Sequence, residues 1–152
     1  MSRAPADPQA LAEACAAAMW AEDRASAGLG MAIRRIGPGE AELAMTVRPD
    51  MANGHGICHG GFVFALADSA FAFACNSFNR RAVAQSNSIT YLRPAHVGEE
   101  LVARAARVAE AGRSGIYDVL VTGGDGRVLA TFRGLSRVIE GQHLPQPGET
   151  TP

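Results

Sequence analysis

The stretch from His59 to Ser77, HGGFVFALADSAFAFACNS, constrains the fold more than any other part of the chain. It carries one formal charge, Asp68, and begins with two glycines, while most of its other residues are apolar. A helix that is apolar on nearly every side is stable only when other parts of the protein cover most of its surface. We therefore predict a buried helix, covered by a sheet or by a second subunit.

A membrane-spanning helix is the alternative for such a composition, and the sequence argues against it. A span needs about 20 predominantly apolar residues, and ionisable residues inside a bilayer are costly. Within that length the segment carries Gly60, Gly61, Asp68, Ser69 and Asn76. No membrane association is expected.

The segments on either side of this helix alternate with the two-residue period of β-strands. Upstream, LGMAIRRIGPGEAELAMTVRPD predicts a hairpin around GPGE, and DPQALAEACAAAMWAED before it predicts an amphipathic N-terminal helix. Downstream, the candidate strands are AVAQSNSITYLRPA, EELVARAARVAEAG, SGIYDVLVTGGDG and RVLATFRGLSRVIE. This order predicts an α+β fold in which a curved antiparallel sheet wraps a long central helix.

The chain of 152 residues fits one domain, which we expect to span residues 1–140. The remaining residues, GQHLPQPGETTP, are rich in proline and polar side chains. We expect residues 141–152 to form a disordered tail.

Charge and cysteine content limit the partners and the location of the protein. Fourteen basic and fifteen acidic residues nearly cancel, which argues against a nucleic-acid partner. The three cysteines lack the spacing of a disulfide framework, and the N-terminus lacks the continuous apolar run of a secretory signal. A cytoplasmic location is expected.

His59, Gly60 and Gly61 lie at the predicted start of the central helix. A helix N-terminus offers free backbone N–H groups and partial positive charge, and glycine lets another molecule approach the backbone closely. This turn is therefore a candidate site for an oxygen that gains negative charge. The alternative is a turn that needs glycine only for its dihedral angles.

Asp68 is the second candidate, because a carboxylate in an apolar helix has to be neutralised, paired or open to a polar cavity. One interpretation is an ion pair with an arginine from a strand. The other is a functional carboxylate that acts together with the glycine turn.

The spacing of Gly60 and Asp68 adds a condition to the second interpretation. Eight residues correspond to about 12 Å along a helix axis, so both groups cannot contact one reacting carbon from the same chain. Gly60 of one chain would then face Asp68 of a symmetry-related chain. This predicts an antiparallel helix pair in a homodimer with two shared sites.

Three residues of HGICH, namely His55, Cys58 and His59, are possible metal ligands, but no fourth ligand follows at structural-zinc spacing. We expect no metal and no cofactor. Asn53 precedes a glycine, which is typical of turns, and it is also a candidate to hydrogen-bond a water beside Asp68.

The segments NGHGICHGGFVFALADSAFAFACNS, SITYLRPA and GIYDVLVTGGDGRVLATFRG resemble the hotdog-fold acyl-CoA thioesterases, particularly those of phenylacetic acid degradation. The resemblance covers residues 25–140. It implies a hotdog fold, homodimers with shared active sites that assemble into homotetramers, and no cofactor. The implied reaction is hydrolysis of (hydroxy)phenylacetyl-CoA or related aryl- or acyl-CoA thioesters to the free acid and coenzyme A.

The resemblance also implies roles for individual residues. Asp68 matches the catalytic carboxylate of the family, Gly60 the N–H donor to the thioester carbonyl, and His59 and Asn53 the neighbouring polar groups. In the RSG turn, Arg113 and Ser114 are candidate contacts for the coenzyme A nucleotide.

One departure from the family concerns the strand after the central helix. Some relatives place a serine there to hold the water, and Ala84 falls near that place in this chain. Whether Ser86 or Ser88 takes over that role stays open.

Two rival functions are a hotdog dehydratase and a non-catalytic acyl-CoA sensor. Such dehydratases usually carry a histidine a few residues after the aspartate, whereas the residues after Asp68 are SAFAF. A sensor would bind acyl-CoA without releasing coenzyme A.

Overall fold

The computed structural model describes residues 3–146. Two helices come first, α1 (Pro8–Trp20) and α2 (Arg24–Gly28), followed by strands β1 (Ala32–Gly37) and β2 (Glu40–Thr46). A short 3-10 helix (Pro49–Met51) leads to the central helix α3 (Gly60–Cys75). The last four strands are β3 (Ala82–Tyr91), β4 (Glu100–Ala111), β5 (Ser114–Thr122) and β6 (Val128–Val138).

The six strands form one antiparallel sheet in the order β1-β2-β4-β5-β6-β3. Irregularities of register interrupt four of the five strand pairs, and such bulges bend a sheet. Helix α3 packs against strands across the whole sheet. The predicted α+β class, with an N-terminal helix and a sheet wrapped over a central helix, is confirmed.

The start of α1 follows the sequence pattern closely. Asp7 caps the helix by accepting a hydrogen bond from the Ala10 N–H at 2.8 Å, and Pro8 occupies the first helical position. Both residue types are favoured at these positions because the first N–H groups of a helix have no partner within it.

The core lies between the sheet and the inner side of α3. The helix contributes Leu66, Ala70 and Phe71, each at most 1% exposed, and Phe71 packs edge-on against Tyr117 of β5. Gly134 of β6 makes room for this ring, because a Cβ atom there would lie 2.7 Å from Phe71.

One side of α3 is covered less completely. Phe62, Ala65 and Ala72, which share one side of the helix, are only partly buried, in contrast to the inner side. The expectation of a helix buried on most sides therefore holds for the sheet-facing side within one chain. Among residues 3–146, no helix is long and apolar enough to cross a membrane.

The segment 141–146 differs from the expected disordered tail. Leu144 is 7% exposed, and the Pro145 carbonyl accepts a hydrogen bond from the Ala4 N–H at 2.8 Å. The side chain of Asn79 binds this segment as well, through the N–H and the carbonyl of Leu144. Proline-rich composition did not predict these contacts, and the rest of the predicted tail, 147–152, lies outside the described residues.

Candidate active site

The first turn of α3 is held by the residue that precedes it. The His59 Nδ1 atom accepts a hydrogen bond from the Gly61 N–H at 2.9 Å, and the His59 N–H donates to the Met51 carbonyl at 2.8 Å. A neutral imidazole whose Nδ1 accepts carries its proton on Nε2, so the exposed edge of His59 is a donor. Within residues 3–146 the Gly60 N–H has no acceptor and is available to a ligand.

Tyr91, at the end of β3, covers Gly60. Its hydroxyl donates a hydrogen bond to the Gly60 carbonyl at 2.8 Å, and a Cβ atom on Gly60 would lie 3.0 Å from the Tyr91 Cζ and hydroxyl oxygen. A side chain at position 60 would therefore require the Tyr91 ring to shift. Tyr91 was not predicted as a contact of Gly60, because nothing in SITYLRPA reveals which residue meets the helix start.

Asn53 shapes the loop that leads to α3. Its Oδ1 atom accepts hydrogen bonds from the N–H groups of His55 at 2.9 Å and Ile57 at 3.4 Å, and its N–H donates to the Ile57 carbonyl at 2.8 Å. These contacts are those of a turn residue. Its predicted role beside Asp68 stays a prediction.

Asp68 lies two turns into α3 and is half-buried. Its hydrogen-bond partner is the side-chain amide of Asn87 rather than an arginine. The Asp68 Oδ1 atom accepts a hydrogen bond from Asn87 Nδ2 at 3.1 Å. Burial raises the pKa of Asp68 above its usual value, and the hydrogen bond from Asn87 opposes this rise. None of the ion pairs within residues 3–146 includes Asp68, so the arginine-pair interpretation does not describe this carboxylate.

Asn87 is the site residue that the sequence analysis overlooked, although it lies between Ser86 and Ser88. Both serines are exposed, as is Ala84, whereas the amide of Asn87 points to the helix. The signal was present in the alternation of QSNSIT, because residues 87 and 89 share one face of the strand and Ile89 packs on the core.

Gly60 and Asp68 contact different parts of β3. Gly60 lies at Tyr91 and Asp68 lies at Asn87, so the strand follows the helix in the opposite direction. Eight helical residues keep the two groups about 12 Å apart along the axis. One chain therefore presents the donor and the carboxylate at two separate places.

Arg113 and Ser114 lie at the other end of the sheet. Ser114 pairs with Arg137 of β6, which pairs with Val83 at the start of β3, whereas Tyr91 pairs with Ala130. The structure does not bring the RSG turn to Gly60 of the same chain. The predicted contact of Arg113 and Ser114 with coenzyme A stays a prediction.

Two of the possible metal ligands of HGICH, Cys58 and His59, are poorly suited to bind a metal ion. The Nδ1 atom of His59 accepts from the helix, and burial raises the pKa of the Cys58 thiol, which disfavours the thiolate that binds metals. In the described part of the chain, no three histidine, cysteine or acidic residues are grouped so that they could hold a metal ion.

Comparison with known proteins identifies the family. Residues 55–130 match the thioesterase superfamily. The chain is also 41% identical over 124 residues to the acyl-coenzyme A thioesterase PaaI of Escherichia coli (strain K12), an alignment covering 82% of this chain and 89% of that protein. The chain belongs to the thioesterase superfamily.

Solved structures agree with this assignment. The thioesterase superposes on the E. coli PaaI protein from the phenylacetic acid degradation operon with a TM-score of 0.88 and 39% identity, covering 90% of this chain and 99% of that one. A mutant of the phenylacetic acid degradation protein PaaI from Thermus thermophilus gives a TM-score of 0.74 and 40% identity, covering 77% and 100%. The hotdog fold implied by the resemblance is confirmed.

Proposed function

We propose that this thioesterase hydrolyses acyl-CoA thioesters to a free acid and coenzyme A, with phenylacetyl and hydroxyphenylacetyl groups as the preferred acyl parts. The observation that carries the proposal is that α3 presents two reactive groups. The Gly60 N–H, at the positive end of the helix, has no acceptor within residues 3–146, and the half-buried Asp68 carboxylate has no cationic partner there. The acyl class rests on the likeness to PaaI proteins of phenylacetic acid degradation.

The site is shared between two chains, with Gly60 of one chain facing Asp68 of its partner. Strand β3 supports this arrangement, because among the described residues no strand pairs with its outer edge, and the strand carries exposed Val83 and Tyr91. Long exposed edge strands pair readily with another chain. The partly buried side of α3, with Phe62 and Ala65, would be covered by the partner helix.

The dimers assemble further into homotetramers. The outer face of the sheet supports this, since it exposes Val108, Leu120 and Leu135, at 54%, 47% and 36% respectively. Apolar side chains exposed on one face favour an interface. We place the protein in the cytoplasm, in line with its three free cysteines, all buried, and we expect neither a membrane nor a nucleic-acid partner.

The reaction follows from the charges on these groups. The Gly60 N–H, at the positive end of α3, donates to the thioester carbonyl as its oxygen gains negative charge, and such a donor contributes about 10²–10³-fold in rate. The His59 Nε2–H lies on the same turn and presents a second donor beside the site.

Asp68 supplies the nucleophile in one of two ways. As a general base it takes a proton from a water whose oxygen attacks the carbonyl carbon, and the C–S bond then breaks to release coenzyme A. As a nucleophile it attacks the carbonyl carbon itself, the C–S bond breaks as coenzyme A leaves, and water then hydrolyses the resulting mixed anhydride to the free acid and regenerates the Asp68 carboxylate. The raised pKa of Asp68 suits the first path, because a base is most effective when its pKa approaches the working pH.

The direct test mixes the protein with phenylacetyl-CoA and a thiol reagent that reports free coenzyme A. We expect release well above the uncatalysed rate, and faster release from aryl-acetyl than from straight-chain acyl-CoA. Binding without release would replace the proposal with an acyl-CoA sensor. Formation of an unsaturated acyl-CoA from a 3-hydroxyacyl-CoA, without thiol release, would replace it with a dehydratase.

A further inference from the structure

Asn87 on β3 is the protein group that contacts the Asp68 carboxylate from the sheet. Its side chain leaves the strand on the helix-facing side, and Nδ2 donates to Asp68 Oδ1 at 3.1 Å. Its neighbours Ser86 and Ser88 are exposed, whereas Ile89, two residues on, packs against the core. Position 87 therefore lies on the helix-facing side of β3, where an apolar side chain is expected, yet it carries an amide.

The other end of the Asn87 side chain has no hydrogen-bond partner. Among the buried side-chain oxygen and nitrogen atoms of residues 3–146, Asn87 Oδ1 is the one that lacks a donor, and solvent does not reach it. A buried acceptor without a donor destabilises a protein. An isosteric leucine would avoid this destabilisation, so the amide has to be explained by what its donor end does.

The other titratable groups near Asp68 carry no charge that could stabilise its carboxylate. Along α3 the nearest titratable group is the Cys75 thiol, whose pKa is raised to about 12, mainly by burial and partly by Asp68 itself. On β5, burial raises the pKa of the Tyr117 hydroxyl to about 12. Both groups stay protonated and neutral at working pH.

The charged groups of the neighbouring elements are engaged elsewhere. Asp23 before α2 accepts from Ser26, whose hydroxyl lies 2.8 Å from that of Ser69. On the exposed face of β5 and β6, Arg133 pairs with Asp118 at 2.7 Å. No cation of β1 to β6 within the described chain is paired with Asp68.

We propose that Asn87 is a positioning residue for the reaction: its Nδ2 donor holds the Asp68 carboxylate in one orientation and keeps it ionised against the effect of burial. The inference rests on the proposed function, in which Asp68 is the base or nucleophile. Asn87 acts through Asp68 and does not contact the substrate. It is therefore expected to influence kcat and its pH dependence rather than KM.

The experiment compares the pH dependence of kcat/KM for phenylacetyl-CoA in the wild type, Asn87→Leu and Asn87→Asp. Asn87→Asp preserves the volume of the side chain and Asn87→Leu preserves its branching, and circular dichroism checks that both variants retain the fold. Losing the donor moves the acid limb of the profile to higher pH by about one unit in Asn87→Leu. A second carboxylate moves it further in Asn87→Asp, because two like charges at one site raise the pKa of one of them.

Thr90→Ala is the matched control, since Thr90 lies on the same strand and is exposed. Its acid limb is expected to coincide with that of the wild type. If the role of Asn87 were purely structural, the substitutions would lower the rate, but the pH of the acid limb would not rise from wild type to Asn87→Leu to Asn87→Asp. Coincident limbs for all variants would overturn the inference and leave the proposed function intact.

A second measurement does not depend on hydrolysis. The change in unfolding free energy caused by Asp68→Asn is measured at neutral pH, once in the wild type and once in the Asn87→Leu variant. Because the charged carboxylate is less well supported beside leucine, Asp68→Asn should stabilise the Asn87→Leu variant more than the wild type. Equal changes in both backgrounds would contradict the inference, whereas failure of the wild type to release coenzyme A would contradict only the proposed function.

Discussion

Two asparagines, Asn79 and Asn87, differ in how much of their hydrogen-bonding capacity the chain uses. Asn79 is 2% exposed, and its Oδ1 accepts from the N–H groups of His143 and Leu144 at 3.0 and 2.8 Å. Its Nδ2 donates to the Leu144 carbonyl at 2.8 Å. Asn87 uses one end for Asp68, and its other end is buried without a partner among residues 3–146.

The difference separates a structural region from the proposed active site. Around Asn79, which fixes the segment 141–146, both polar ends of the amide are satisfied and the result is stability. Around Asp68, within residues 3–146, a carboxylate is half-buried without a cation and its amide partner is half-satisfied, which lowers stability. Such unfavourable groups are typical of functional sites, which supports the proposed role of Asp68.

The largest expected effect belongs to the proposed active site. Asp68→Asn should keep the fold and the proposed dimer yet reduce kcat by at least about 10²-fold, because the proposed general base or nucleophile is lost. Steady-state release of coenzyme A measures the loss, and size-exclusion chromatography checks the assembly. If the variant kept wild-type hydrolysis, Asp68 would have no part in the chemistry.

The second prediction concerns the structural region. Asn79→Ala should lower the free energy of unfolding by about 2–4 kcal/mol, since it leaves buried backbone groups of the segment 141–146 without partners. Activity per folded molecule should not change. Urea denaturation gives the stability, and hydrolysis at low denaturant gives the activity.

Asn79→Gly is the matched control for this substitution. Asn79 has a positive φ of 56°, a conformation that strains alanine and that glycine adopts freely. The glycine variant should therefore lose less stability than the alanine variant. Equal losses would assign the whole effect to the hydrogen bonds, and a loss of activity in either variant would link the two regions.

The smallest expected effect is a pH dependence of stability with opposite signs in the two regions. Burial raises the pKa of Asp68 above 3.8, so the folded chain gains stability as pH falls through the folded pKa. For His143, burial and then Arg81 lower the pKa below 6.5, and its ring lies 2.8 Å from Asn76 Oδ1. Its contribution is present above pH 6.5 and is lost as pH falls through the folded pKa.

Unfolding by urea at several values between about pH 4 and 7 measures both contributions. Asp68→Asn should abolish the increase in unfolding free energy as the pH falls, and His143→Gln should abolish the decrease that His143 causes. If both variants kept the pH dependence of the wild type, neither group would be responsible for it.

Much of the fold could be predicted from local patterns. Each of the signals involves only a few neighbouring residues. They are the two-residue alternation of the strands, the Asp-Pro start of α1 and the glycine-containing turns. The apolar α3 with one carboxylate pointed to Asp68 as the residue to explain, and the ion-pair interpretation was excluded only when Asn87 was seen beside it.

What the sequence could not predict depends on contacts between distant segments. Tyr91 over Gly60 and Asn87 against Asp68 depend on the register of β3 along α3, which neither segment encodes alone. The order of segment 141–146 was missed for the same reason. Its composition predicts disorder, and its order comes from Asn79, more than sixty residues away in the chain.

The contact between Tyr91 and Gly60 also couples two distant positions of this thioesterase. A Cβ atom at position 60 would lie 3.0 Å from the tyrosine ring, so a larger residue there requires the ring to shift or a smaller residue at position 91. The start of the helix is thus tied to the end of the edge strand, and the effect of a substitution at either position is expected to depend on the residue at the other.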